Sequence, residues 1–244
     1  MENRFDRAGL IVIFFTLKHN EQQPKDCRAE LSARSHNFNN LHYPFHDEII
    51  KMNDNDPDRY TPSSQHDWRN WLEENHVSRD FVWVIFYKVS TGKCTITWSQ
   101  AVEEALCFGW IDSVKKTLDK ERYIQYFSKR KPGSTWSRVN KEAVTKLIQE
   151  KRMMEAGAKS IAVAKENGSW TILDQVEALI IPDDLAAAFK TRPGSEAFFL
   201  SLSKSKRKVM LSWIVLAKRK DTRDKRIKTI AEHAEQGKRP PNFA

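Results

Sequence analysis

FVWVIFYKV, residues Phe81–Val89, is aromatic or β-branched at nearly every position and carries a single charge, Lys88. A short run of this kind reads as a central strand covered on both faces. Upstream, Ser64 and Asp67 have the spacing of a capping box, and Trp68, Trp71 and Leu72 fall on one face of the helix that follows. Downstream, Thr91-Gly92 turns the chain and Thr97 caps a helix striped with Trp98, Ala101, Val102, Ala105 and Leu106. Gly109 stands where a left-handed C-cap belongs. Trp110–Lys116 and Arg122–Ser128, joined by polar residues, form a hairpin. Beyond Pro132-Gly133 every segment has helical periodicity. Ser137–Lys151 places Val139, Ala143, Leu147 and Ile148 on one side, Glu155–Asn167 is stopped by Gly168, and the last helix, Asp221–Gln236, is closed by Gly237. The expected fold is α+β: a small antiparallel sheet, central strand plus hairpin, packed by helices, with a mostly helical C-terminal half.

Composition supports a real core but distributes it unevenly. Hydrophobic residues make up 40% of the 244, and all eight Trp lie after residue 67. Residues 1–60 show no sustained period and read as an N-terminal extension and linker; 61–238 form a single domain and 239–244 a short tail. The extension holds the apolar stretch Gly9–Leu17 and the scattered His19, His36, His42 and His46, whose irregular spacing does not suit a metal site. Three cysteines without CxxC spacing exclude a disulfide scaffold and favour a reducing compartment. No apolar run is long enough to span a bilayer, and Gly9–Leu17 lacks the cleavage site of a signal peptide. A cytoplasmic location, no metal and no cofactor are therefore expected.

The net charge of +9 is segregated. Lys115–Lys151 holds eleven basic residues against four acidic, and Lys204–Lys228 eleven against two, so the two segments together can make an anion-attracting face. No GxGxxG, GxxxxGK[ST], GxSxG or HExxH occurs, which removes the commonest nucleotide, hydrolase and metalloprotease signatures. Three constellations remain. Lys88 and Asp112 both sit beside apolar strand residues, where an unpaired charge is costly, so an ion pair between them is expected. Arg130, Lys131, Trp136, Ser137 and Asn140 straddle the junction of hairpin and helix, where a helix N-terminus beside an Arg makes an anion site. Lys218, Arg223 and Arg226 flank the start of the last helix, the two arginines sharing a face suited to a phosphate or carboxylate.

The motifs that carry these residues resemble the YdeI/OmpD-associated family, also described as bacteriocin-protection proteins. The resemblance rests on Trp68-Arg69-x-Trp71-Leu72, VWVIFYK, Ala101–Ser113 with its Cys-Phe-Gly-Trp-Ile-Asp block, PGSTWSRVNKE (132–142), GSW (168–170), PDDL (182–185) and WIVLAKRKDTRDKRI (213–227). Where the family leads one to expect a Pro and an Arg in the approach to Arg130, this chain has Tyr126 and Lys129. The resemblance implies a small bacterial α+β protein with no established chemistry, linked to resistance against antimicrobial peptides. It also implies a domain that begins just before the Trp-Arg helix, so Met52 is the expected start and residues 1–51 are expected to lie outside the functional fold. The leading expectation is a stress- or bacteriocin-resistance protein, not an enzyme, that binds an anionic small molecule or protein partner through the junction and the Lys218–Arg226 corner. One alternative is nucleic-acid binding through basic segments interleaved with Tyr123, Tyr126, Phe127 and Trp136. The other is an enzyme using Asp112 and Lys88 as an acid–base pair.

Overall fold

A computed structural model describes residues 56–243, so the apolar stretch at Gly9–Leu17, the four early histidines, Cys27 and Met52 lie outside the described residues. The described residues fall into two compact units, 56–129 and 130–243, whose boundary lies inside the 61–238 span expected as one domain.

The first unit contains β1 (Arg59–Tyr60), α1 (Gln65–Asn75), β2 (Phe81–Tyr87), α2 (Trp98–Cys107), β3 (Trp110–Thr117) and β4 (Arg122–Lys129). The strand order is β1-β2-β4-β3, so β2 pairs with the second strand of the hairpin. β1 runs parallel to β2 and the other pairs are antiparallel, which makes the sheet mixed. Both expected caps form. Ser64 Oγ accepts the Asp67 N–H, and the reciprocal bond comes from Ser63, whose backbone N–H holds the Asp67 carboxyl below the usual carboxylate range. Thr97 and Gln100 close a complete capping box at α2. Gly109 takes φ 72°, the left-handed conformation its position requires.

Side chains on β2 alternate. Val82, Val84 and Phe86 are fully buried, with Trp68 of α1 edge-on to Phe127 across the same face. The other face carries Phe81, Trp83 and Tyr87, each half-buried, around a buried Ile85. The expectation of a strand sealed on both faces therefore holds for one face only. The Trp68 indole also donates to the Ala101 carbonyl at 3.0 Å, which ties α1 to α2. Burying each such side chain contributes roughly 1.5–3 kcal/mol.

The second unit is helical: α3 (Arg138–Gln149), α4 (Glu155–Glu166), α5 (Asp174–Glu177), α6 (Asp183–Lys190), α7 (Ser195–Ser201), α8 (Lys204–Val215) and α9 (Lys220–Glu235). Its core joins Leu185, Phe189, Phe199, Met210, Ile214 and Ile230 from α6–α9. The buried stripe of α3 is Asn140, Val144 and Leu147, while Ile148 is 53% exposed. The expected stripe is thus rotated by about one position, because the cap turns Asn140 inward. The tail is packed. Pro241–Phe243 forms a 3-10 turn, Phe243 lies edge-on to Trp213 and joins the core, and Arg239 donates to the Phe243 carbonyl at 2.7 Å. Among the described residues no helix is long and apolar enough to cross a membrane.

Candidate functional site

Of the three constellations, the hairpin–helix junction sets Arg130 over Trp136 and Ser137 as the cap of Asn140, with Lys131 exposed, while the other two are arranged differently from the expectation. Lys88 and Asp112 are not a pair. The ladder sets Asp112 opposite Phe127 and Phe127 opposite Val82, so Asp112 lies at the start of β2 while Lys88 follows its end. From Val82 to Lys88, at ~3.3 Å per residue, is about 20 Å. Lys88 Nζ instead donates to the carbonyls of Asp119 and Lys120, at 2.9 and 3.0 Å, and clamps the hairpin loop. Asp112 Oδ2 accepts from Trp98 Nε1 and from Gln125 Nε2, both at 2.9 Å. The ladder shifts register between Asp112 and Lys115, next to these bonds. Both residues satisfy the cost of burial locally, and the acid–base pair does not exist.

The C-terminal corner is likewise committed to structure. Arg223 makes a two-pronged bond to Asp184, at 2.6 and 3.0 Å, and this guanidinium holds the Asp184 carboxyl below its usual range. Arg226 is 3% exposed, donates to the Trp213 carbonyl at 2.5 Å and lies 5.1 Å from that indole's centre. Lys218 is exposed. Sharing a helical face with Arg223 made Arg226 look available, but that face turns into the core beside Ile227 and Ile230.

At the junction, Ser137 is the N-cap of α3 and its hydroxyl accepts the Asn140 N–H at 3.2 Å. Arg130 is 91% buried: its relative exposure is 9%. Its guanidinium lies 3.7 Å over the Trp136 ring and its Nη1 donates to the Thr135 carbonyl at 2.8 Å. Trp136 is 1% exposed, and its indole N–H is buried without an acceptor. Lys131 is exposed on the intervening turn, which is closed by the Ser134 N–H on the Lys131 carbonyl. A second loop is stitched to this one: Asn167 Nδ2 and Ser169 Oγ both donate to the Pro132 carbonyl, at 2.8 and 3.2 Å. That loop carries Trp170, whose ring centre is 4.9 Å from that of Trp136, with Lys141 and Lys165 beside it. Cation, indole and helix N-terminus together can hold an anion by charge and by directed N–H groups.

The helices of the C-terminal corner carry one of two family similarities. Residues 178–237 match the bacteriocin-protection, YdeI or OmpD-associated family. Residues 60–160, which the sequence motifs draw into the same resemblance, match instead a domain of unknown function, DUF8412. No curated protein and no solved structure matches the chain. The segment that matches the YdeI/OmpD-associated family thus holds Asp184, Arg223 and Arg226, whereas Arg130, Trp136, Ser137 and Asn140 fall in the DUF8412 match. Trp170 lies between the two.

Trp170, Lys141, Lys165, Asn167 and Ser169 were not among the expected site residues. The Gly168 that stops α4, with φ 79°, was the available signal, because it turns Ser169 and Trp170 back along the helix. The Trp170 N–H bonds the Ala164 carbonyl at 2.9 Å. Two of the aromatics behind the nucleic-acid reading are core: Phe127 is 0% and Trp136 1% exposed. Tyr123 stacks on Phe86, and Tyr126 on Phe81. Among the described residues no three His, Cys, Asp or Glu side chains are grouped to hold a metal ion.

Proposed function

We propose that the chain is an anion-binding protein whose site is the junction at the start of α3, and that it serves stress or bacteriocin resistance in the cytoplasm. One observation carries the reading: the fully buried indole of Trp136, whose N–H has no acceptor, lies under a buried guanidinium and immediately precedes the N-cap of α3. An unmet buried donor costs about 1–3 kcal/mol, which a bound oxyanion would offset. The N-terminal end of α3 adds a partial positive charge and first-turn N–H groups that have no intrahelical acceptor. The description of the family matched by residues 178–237 supports the link to resistance. Lys218, Arg223 and Arg226 are left out of this site, since Arg223 and Arg226 are held by Asp184 and Trp213.

The test is thermal melting in phosphate against chloride at equal ionic strength, for wild type and Arg130→Gln. Ligand at a hundred times its Kd stabilises by about 2.7 kcal/mol. For a chain of this size that raises Tm by roughly 5–11 °C. The rise should appear in wild type and shrink in the variant. Equal curves in the two salts across a wide phosphate range would refute the proposal.

A further inference from the structure

Resting on that reading, we infer that Asn140 sets the selectivity of the site, and that the anion it admits is a singly charged oxyanion that keeps an O–H: phosphate or a phosphate monoester in its monoanionic form. Asn140 is 7% exposed and stands one helical turn beyond Trp136, on the buried stripe that continues through Val144 and Leu147. Its backbone N–H is taken by the Ser137 hydroxyl. Its side-chain amide has no hydrogen-bond partner among the described residues. An Asn amide offers both a donor, Nδ2, and an acceptor, Oδ1. The other unmet groups beside it are donors: the Trp136 N–H and the N–H groups that open α3. An oxyanion without a proton satisfies the donors but sets its lone pairs against Oδ1. One with an O–H satisfies both, accepting from Trp136 and from Nδ2 and donating to Oδ1. Charge points the same way. Arg130 already donates to the Thr135 carbonyl and Lys141 is engaged by Asp174, so one negative charge suits the junction better than two. A site built to hydrogen-bond a ligand's hydroxyl rejects an analogue that lacks it, because the site's own polar groups are then stranded.

The probes are inorganic phosphate, methyl phosphate, dimethyl phosphate and sulfate, titrated by calorimetry into the full chain. The buffer is held at about pH 5, below the second pKa of about 6 of a phosphate monoester, so that phosphate and methyl phosphate carry one charge. Sulfate matches phosphate in size and dimethyl phosphate matches it in charge, but neither has an O–H to donate. Phosphate should bind roughly ten- to hundred-fold tighter than either. Asn140→Leu replaces the amide with an apolar side chain of similar volume beside Val144 and Leu147, and should abolish that preference. Asn140→Ala reads the same loss if the leucine does not pack. Methyl phosphate binding as tightly as phosphate identifies a monoester source, and binding of phosphate alone identifies the free anion; either result upholds the selectivity. Equal affinities for phosphate, sulfate and dimethyl phosphate, or a preference that survives in both variants, would overturn the inference and leave the anion site standing. No binding by any probe would refute both.

Discussion

Replacing Asp112 by Asn tests the corrected wiring of the sheet. A single carboxylate oxygen, Oδ2, accepts two N–H groups, from Trp98 and Gln125, each at 2.9 Å. An Asn carbonyl can occupy the same place, so both bonds persist but lose their charge assistance. Bonds to a charged group contribute about 1.5–3 kcal/mol and neutral ones about 0.5–1.5. The loss is therefore roughly 1 kcal/mol per bond and about 2 kcal/mol in all. That corresponds to a fall in Tm of roughly 4–8 °C. Gln125 is 0% exposed and keeps a bond from Nε2 to the Ser113 carbonyl, so it is not stranded entirely. The informative assay is a pair of double-mutant cycles read by urea denaturation. Asp112→Asn with Trp98→Phe should show coupling of about 0.5–1.5 kcal/mol, because the two side chains share a bond. Asp112→Asn with Lys88→Gln should be additive, because the two stand about 20 Å apart along the sheet. Coupling above about 1 kcal/mol in the Lys88 cycle would refute the strand register.

Lys151 ends α3 in the left-handed conformation, φ 57°, with its N–H on the Ile148 carbonyl and the Arg152 N–H on that of Leu147. A non-glycine residue there costs roughly 1–2 kcal/mol, offset in part by glycine's greater loss of entropy. Lys151→Gly should accordingly raise Tm by about 2–4 °C, and a fall would contradict the cap. The Arg223 fork lowers the Asp184 carboxyl below its ordinary pKa of 3.8, so this contact stabilises the fold above that range and is lost as pH falls below it. Asp184→Asn should therefore be less stable than wild type at neutral pH, with the two converging in acid; a difference that stays constant down to pH 2 would argue against the pairing.

What could be read from sequence was mostly local chemistry. Ser64, Thr97 and Ser137 cap helices because a hydroxyl three residues before a free N–H is sufficient, and Gly109 and Gly168 fix turns by backbone freedom alone. The strand Phe81–Tyr87 was legible from its aromatic and β-branched composition, and the hairpin from two such runs joined by polar residues. The partners of charged residues were not. Whether Lys88 meets Asp112 depends on strand register, and the order β1-β2-β4-β3 sets them at opposite ends of the sheet. Arg226 was invisible as a buried residue because its partner is a backbone carbonyl, Trp213, which no side-chain pattern announces. The candidate site was legible in its first half, Arg130 to Asn140, since those residues are close in the chain. Its second half, Asn167–Trp170, arrives through the Pro132 carbonyl and could be found only in three dimensions.

The Trp136 indole N–H is the proton on which an anion at the start of α3 would act, and two-dimensional ¹H–¹⁵N NMR of the indole region observes it directly. Trp110 supplies an internal control, because its indole N–H is also buried without an acceptor but lies in the other unit. On titration with phosphate at constant ionic strength, the Trp136 cross-peak, assigned by Trp136→Phe, should move downfield and saturate, as expected for a new N–H···O bond, while that of Trp110 stays in place. A Trp136 peak that does not move, or that drifts without saturating alongside Trp110, would contradict an anion site at the start of α3.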